Sequence, residues 1–186
     1  MGIPKKVLLK IIYGGIYMST KMISKVENNV LVLERVFNAP KELLFKAFSK
    51  PEHLKQWWGP RGWVLTVCNV DFRVGGIWHY CMKCMDENQG DFFGFESWGK
   101  GVYQEIIQDE KIVYIDYFSD AEGNENDEMP STHITLSFED YEGKTRLINR
   151  AVYTSAEALK TVLDMGMEQG ITETWDRLEE HITSIK

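Results

Sequence analysis

The feature of this 186-residue chain that most constrains its fold is a change of hydrophobic period near Thr154. Residues 63–153 are short runs of β-branched and aromatic residues separated by turns, which is typical of strands. After Thr154 the apolar residues Ile171, Trp175 and Ile182 recur at helical spacing. Short connections between successive strands favour antiparallel neighbours. The sequence therefore predicts an α+β domain in which an antiparallel meander is covered by a long C-terminal helix.

The remaining elements complete this order. Residues 30–37 predict a first strand, and Asn38-Ala39-Pro40 begins a short helix that a second short helix follows up to Trp58. Gly166 and Gly170 weaken the C-terminal helix and predict a kink or a break in it. The six strands of the meander are predicted at residues 63–72, 77–85, 92–107, 111–118, 132–138 and 145–153.

A bent sheet under one helix favours an internal cavity. A helix is about 10–12 Å wide, which is too narrow to fill the concave face of such a sheet. Strand alternation turns Trp78, Tyr80 and Met82 inward, whereas both phases of residues 111–118 are apolar and leave the orientation of Asp116 open. Plain core packing is an equally good reading of each aromatic residue. The candidate ligand-binding residues are Trp58, Trp78, Tyr80, Met82, Phe95, Trp98, Tyr114, Asp116, Phe118, Leu136, Asn149, Met167, Ile171 and Trp175.

Charge and cysteine content exclude several classes of function. The formal charge of −7 and the pI near 5.2 argue against binding to nucleic acid or to anionic membranes. The cysteines Cys68, Cys81 and Cys84 are too few for a secreted disulfide scaffold and indicate a reducing compartment, so we expect a cytoplasmic protein. The pair in Cys81-Met82-Lys83-Cys84 is interpreted as packed small side chains, and we expect neither a metal site nor a cofactor.

Catalytic chemistry has only weak candidates in this sequence. Asp116, Glu96 and His79 are the residues that an enzyme of cyclase or hydrolase type would use as a general base. A carboxylate enclosed by aromatic rings would have a raised pKa, which applies to Asp116 if it points inward. Asn149 is interpreted as a group that orients a ligand oxygen or bonds a neighbouring backbone atom. We therefore favour a protein that is not an enzyme.

Several motifs together resemble one known family. They are Arg35 in the first strand, Ala39-Pro40, Pro51-Glu52, Trp57-Trp58, Arg73-x-Gly75-Gly76, Gly101-x-x-x-Glu105-Ile106 and Lys144-Thr145-Arg146-Leu147. Residues 28–184 resemble the family of homologues of the activator of heat-shock-protein-90 ATPase, within the START-like, polyketide cyclase-like superfamily. The resemblance implies a helix-grip fold with a hydrophobic cavity between the sheet and the C-terminal helix. Residues 28–186 are then one START-like domain, and residues 1–27 are interpreted as a poorly ordered or non-native extension, with a signal peptide as the alternative.

Three hypotheses about function follow. The first is binding of a hydrophobic, ring-containing small molecule in the cavity. The second is a cyclase- or hydrolase-type enzyme in the same cavity, and the third is a chaperone-associated interaction module. The expected partner is a hydrophobic small molecule, without nucleic acid and without membrane insertion. A homodimer and a chaperone partner are left open as alternatives.

Overall fold

A computed structural model describes residues 21–186 and has an α+β architecture with one sheet and a helical layer. Its N-terminal half contains β1 (Ile23–Glu27), β2 (Val30–Phe37), α1 (Lys41–Ser49), α2 (Pro51–Trp57), β3 (Trp63–Val70), β4 (Ile77–Cys84) and a 3-10 helix (Glu87–Phe92). Its C-terminal half contains β5 (Glu96–Ile107), β6 (Lys111–Phe118), β7 (Thr132–Tyr141), β8 (Lys144–Tyr153), α3 (Ala156–Asp164) and α4 (Met167–Ser184).

Every pair of neighbouring strands in the sheet is antiparallel. The strand order is β1-β2-β8-β7-β6-β5-β4-β3, so β2 lies beside the last strand and the meander runs outward from there. The register shifts between Leu65 and Val67 in β3 and between Tyr103 and Glu105 in β5. Such bulges bend strands and increase their twist. The predicted helix-grip order is confirmed, with a concave face turned toward the helices.

The sheet of the described residues has eight strands, whereas the sequence predicted a first strand and a six-stranded meander. The additional strand is β1, which pairs with β2 at the edge of the sheet. All five of its residues, from Ile23 to Glu27, are exposed. Without a buried face, β1 has no hydrophobic alternation that a pattern analysis could detect. The predicted extension 1–27 thus contributes this edge strand, and its residues 1–20 lie outside the described residues.

The C-terminal helix is divided at Gly166. This residue has a φ of 84°, a left-handed conformation that glycine adopts at low cost, and it separates α3 from α4. The buried side of α4 presents Trp175, Leu178 and Ile182 to the sheet. Trp175 meets Phe37 of β2 edge to face, with ring centroids 5.9 Å apart. The predicted break in the helix is therefore present, and α4 is the element that lies across the concave face.

Helices α1 and α2 close one end of this layer. Phe48 and Trp57 pack edge to face at 4.8 Å, and the indole Nε1 of Trp57 donates a hydrogen bond to the Ala47 carbonyl at 3.1 Å. Trp57 is thus fixed in the core, and the next residue, Trp58, lies over the inner face of β4. No helix within residues 21–186 has both the length and the apolar composition needed to span a bilayer.

Candidate ligand cavity

A cavity of two adjoining lobes lies between the inner face of the sheet and the helices. We call the larger one, of 260 Å³, the Asp116 lobe, and the other, of 250 Å³, the Trp175 lobe. The residues that line both lobes are Trp58, Met82, Tyr114, Asn149, Met167 and Ile171. The two lobes therefore lie side by side and share six wall residues.

The floor of the cavity consists of side chains from β6, β7 and β8. Antiparallel pairing sets their order, since residues opposite each other on the same face form rows across the sheet. The three rows are Asp116, Thr132 and Tyr153; Tyr114, Ile134 and Ala151; and Ile112, Leu136 and Asn149, of which Ile112 is buried and lines neither lobe. Asp116 and Asn149 thus lie at opposite corners of the floor, with the single strand β7 between them and an offset of four residues along the strand.

The walls and roof are mainly aromatic and sulfur-containing. Trp58 packs edge to face against Trp78 at 4.5 Å and against Tyr80 at 5.9 Å between ring centroids. Met167 and Ile171, from the first turns of α4, cover the lobes from above. These side chains supply apolar surface on several sides of the cavity, which is the usual composition of a small-molecule site.

Arg177 of α4 holds the loop that carries Trp58. Its guanidinium donates hydrogen bonds to the carbonyls of Gly59, Pro60 and Trp63 at 2.7, 3.2 and 3.1 Å. A planar group with several donors suits this role, because one side chain can bind several loop carbonyls at once. The position of the Trp58 wall is therefore tied directly to the helix that forms the roof.

Asp116 provides the ionisable group of the Asp116 lobe. Its Oδ1 accepts a hydrogen bond of 3.2 Å from the hydroxyl of Tyr80. Burial raises the pKa of Asp116 to about 7, and the bond from Tyr80 offsets only part of this effect. Burial also raises the pKa of Tyr80 well above its usual value, so the phenol remains a donor at neutral pH. The lobe thus contains a carboxyl group that exchanges a proton near neutrality.

Asn149 is the polar group common to both lobes. Its side chain is only 7% exposed, and its Oδ1 is buried and has no hydrogen-bond partner within residues 21–186. A buried acceptor without a donor costs free energy, which a protein normally avoids by supplying a partner. Because Oδ1 has almost no accessible surface, a ligand donor would reach it only after the amide turns toward the cavity.

Most of the sequence-predicted site residues come together in this cavity. Those that border it are Trp58, Tyr80, Met82, Trp98, Tyr114, Asp116, Phe118, Leu136, Asn149, Met167, Ile171 and Trp175. Trp78 is buried behind Trp58 and Tyr80 and does not line either lobe. Phe95 was also predicted to line the cavity, but it precedes β5, is 54% exposed and contacts Trp63.

Two of the catalytic candidates lie outside the cavity. Glu96 is exposed and accepts a hydrogen bond of 3.0 Å from the Lys83 Nζ, and this ion pair lowers its pKa. His79 stacks on the indole of Trp98 at 5.2 Å, and its Nε2 lies 3.0 Å from the Asp120 carbonyl. Strand alternation sends these side chains to the outer face of the sheet, so Asp116 alone remains of the three candidates.

Several lining residues were absent from the sequence prediction. The alternation of β2 and β8 could have indicated the apolar members Leu31, Leu33 and Tyr153, because they share the inward phase of their strands. Gly99 carried no such signal, since it has no side chain. The other missed residues of the Asp116 lobe are Ser97, Tyr117, Thr132, Ile134, Ala151 and Val162, and those of the Trp175 lobe are Phe48, Gly59, Pro60, Gly170 and Thr174.

The cysteines form no site of their own. Cys68, Cys81 and Cys84 are reduced and buried, and burial raises the pKa of Cys68 and of Cys81. Raised thiol pKa values disfavour the thiolate that metal binding and redox chemistry require. Residues 21–186 contain no group of three or more His, Cys, Asp or Glu side chains arranged to hold a metal ion.

The bent sheet, the helix across it and the apolar cavity between them define a START-like protein with a helix-grip fold. The model of the family described as "Activator of Hsp90 ATPase homolog 1-like protein" matches residues 38–183, and the chain belongs to this family. A comparison with curated proteins gave no match.

Solved bacterial structures have the same fold. Protein Ms6760 from Mycobacterium smegmatis is 26% identical with a TM-score of 0.75, covering 88% of this chain and 96% of its own. A protein from Arthrobacter aurescens is 26% identical with a TM-score of 0.78, covering 90% and 93%. A protein from Staphylococcus epidermidis is 28% identical with a TM-score of 0.75, covering 88% and 94%. The similarity thus extends over nearly the whole of each chain.

Proposed function

We propose that this protein binds a hydrophobic, ring-containing small molecule in the two-lobed cavity between the sheet and α4. The observation that carries the proposal is the pair of adjoining lobes, of 260 and 250 Å³, lined by aromatic rings, aliphatic groups and the Met82 and Met167 thioethers. Removal of apolar ligand surface from water would supply most of the affinity. Flat rings suit walls formed by Trp58 and Tyr114, which can contact them by stacked or edge-to-face packing.

The polar groups of the cavity support orientation of the ligand. Asp116 with Tyr80 lies at one corner of the floor, and Asn149 lies at the opposite corner. A few convergent polar groups in an otherwise apolar cavity are the usual means by which a binding site fixes the direction of its ligand. The same groups would disfavour purely hydrocarbon guests, because these leave the Asn149 oxygen without a partner.

Thermal unfolding with a library of apolar ring compounds tests this function. Binding to the folded state alone should raise the melting temperature with the logarithm of free ligand concentration. Ala151→Phe would place a ring in the Asp116 lobe and should abolish the shift, whereas Val152→Phe, on the outward phase of β8, should retain it. Absence of any shift across the library, together with no co-purified compound in native mass spectrometry, would overturn the proposal.

A second candidate function is an enzyme of cyclase or hydrolase type that uses Asp116 as its general acid or base. The observation that favours it is the pKa of Asp116 of about 7, since proton transfer is most effective when the pKa of the group lies near the working pH. The Tyr80 hydroxyl would polarise a substrate oxygen. Asp116→Asn should then stop turnover of the bound compound while binding survives; unchanged turnover would rule out this role.

The chaperone-associated alternative comes from the family description, which names the Hsp90 ATPase. It requires a protein-binding surface rather than the cavity. Recovery of a chaperone by pull-down, at a yield that is insensitive to Ala151→Phe, would favour it over ligand binding. The homodimer and the cytoplasmic location likewise remain predictions, to be tested by sedimentation and by cell fractionation.

A further inference from the structure

The electrostatics of the cavity restrict the ligand further than its apolar walls do. Asp116 is the only Asp or Glu among the described residues that line the two lobes, and no Lys, Arg or His lines either one. Its Oδ1 accepts the bond from Tyr80, and within residues 21–186 its Oδ2 has no hydrogen bond. A buried carboxylate without a cation is unfavourable, and proteins normally pair such a charge. A ligand group that pairs with the Asp116 carboxylate should therefore be a cation or a strong hydrogen-bond donor.

The surroundings of Asp116 are suited to a cation. Aromatic residues of the same lobe include Tyr80, Tyr114, Tyr153 and Trp58. The face of an aromatic ring carries a negative electrostatic potential and attracts an ammonium group. Aromatic faces next to a single carboxylate form the usual chemical environment in which proteins recognise organic cations. An anionic head group would meet the same rings and carboxylate with repulsion.

We propose that the ligand of this cavity is a ring compound that carries a protonated amine, with its ammonium group paired to Asp116 and flanked by the rings of Tyr80 and Tyr114. This inference rests on the proposed function, because it specifies which apolar molecule the cavity takes. The ammonium donates to the free Oδ2 of Asp116, and the ring body lies against Trp58, Met82 and the first turns of α4. A carboxylic acid of the same shape is rejected.

Three probes of one shape and different charge test the proposal. They are 2-naphthylmethylamine, 2-naphthylmethanol and 2-naphthoate, measured by isothermal titration calorimetry with the full chain. A charged hydrogen bond is stronger than a neutral one, and cation–π contacts add to the difference, so the amine should bind about tenfold more tightly than the alcohol. The carboxylate should bind more weakly than the alcohol.

Two matched variants assign the preference to its source. Asp116→Asn should remove the preference for the amine while the alcohol still binds. Glu96→Gln makes the same change of net charge on the outer face of the sheet, and it should leave the preference unchanged. In the wild type the affinity for the amine should rise between about pH 6 and about pH 8, as Asp116 loses its proton.

The outcomes separate this inference from the function on which it rests. Equal binding of the alcohol and the amine, or strongest binding of the carboxylate, would overturn the amine proposal and leave the cavity as an apolar binding site. Binding of none of the three probes would count against both proposals. The pH series uses the wild type alone, so a poorly folded variant would not prevent the decision.

Discussion

Replacement of Asp116 by asparagine is expected to stabilise the free protein at neutral and alkaline pH. The substitution keeps the size of the side chain and an oxygen that can accept the hydrogen bond from Tyr80. It removes only the charge that the fold must bury when the carboxyl group loses its proton. The usual expectation for a buried residue is the opposite, since most substitutions in protein interiors destabilise.

The magnitude follows from the pKa of Asp116, which burial raises from 3.8 to about 7. Each pKa unit corresponds to about 1.4 kcal/mol. If the whole pKa shift appears in the free energy of unfolding, the change is about 4 kcal/mol. Asp116 keeps some solvent exposure, which reduces this figure, and we expect about 2–4 kcal/mol. Because the folded pKa lies above the unfolded one, the stabilising effect of the proton is complete below about pH 4 and is lost as the pH rises through about 7.

Urea unfolding followed by tryptophan fluorescence, at intervals from about pH 5 to about pH 8, measures this difference. The gap in unfolding free energy between the Asp116→Asn variant and the wild type should widen toward pH 8. Glu96→Gln is the control: its ion pair with Lys83 lowers the pKa of Glu96, so its effect should be constant over this range. A gap for Asp116→Asn that does not change with pH would refute the reasoning. So would a wild type that is more stable than the Asp116→Asn variant at pH 8.

Three further predictions concern the frame of the cavity. Gly99→Ala would place a Cβ 2.2 Å from the Tyr80 ring, and it should lower the unfolding free energy by about 1–3 kcal/mol in urea denaturation; an unchanged value would show that the ring relaxes freely. Arg177→Met removes the hydrogen bonds to the loop carbonyls and should cost about 2 kcal/mol and weaken ligand binding; binding equal to the wild type would contradict the positioning role. His53 Nδ1 lies 2.9 Å from His181 Nε2 and burial lowers both pKa values below 6.5, so the contribution of this pair to stability should fall as the pH drops from about 7 to about 5, opposite in sign to that of Asp116; the unfolding free energy of the wild type minus that of His181→Gln should therefore decrease toward pH 5.

The sequence was sufficient for the parts of the cavity that depend on strand alternation. Trp78, Tyr80 and Met82 alternate with more polar neighbours in β4, and the structure has Trp78 and Tyr80 buried on the inner face. In β6 both phases are apolar, so no pattern could orient Asp116. Its orientation follows from the pairing of β6 with β7, where Asp116 lies opposite Thr132 on the cavity side.

The sequence did not reveal the glycine positions of β5 that face the cavity, and the reason is steric. Gly99 and Gly101 occupy the inner face there, because a Cβ would lie 2.2 Å from Tyr80 at the first and 3.2 Å from Tyr114 at the second. The large residues next to these glycines have the opposite phase in β5, where Trp98 stacks on His79 and also borders the Asp116 lobe. A search for large apolar side chains overlooks the glycine positions of such a strand, which make room for the rings of neighbouring strands.

Asn149→Leu tests whether the cavity is kept for binding rather than for stability. The Oδ1 of Asn149 is buried and finds no hydrogen-bond partner in the part of the chain that the structure describes, so an apolar side chain of similar size should stabilise the free protein or leave it unchanged. Thr145 is a fully buried polar residue on the same strand, and its hydroxyl donates to the Ala39 carbonyl at 2.7 Å. Thr145→Val should therefore cost about 1–3 kcal/mol.

The test compares Asn149→Leu with Thr145→Val in two measurements. Urea unfolding gives the stability of each variant, and the ligand-induced thermal shift gives its affinity. If Asn149 serves the ligand, Asn149→Leu keeps its stability and loses affinity for compounds with a donor group, whereas Thr145→Val loses stability and keeps that affinity. If instead Asn149→Leu is destabilised as much as Thr145→Val, the Asn149 amide stabilises the core. The proposal that Asn149 serves as a polar contact for the ligand would then be wrong. A side chain that contributes little to stability and much to ligand affinity acts as a binding group rather than as a packing group.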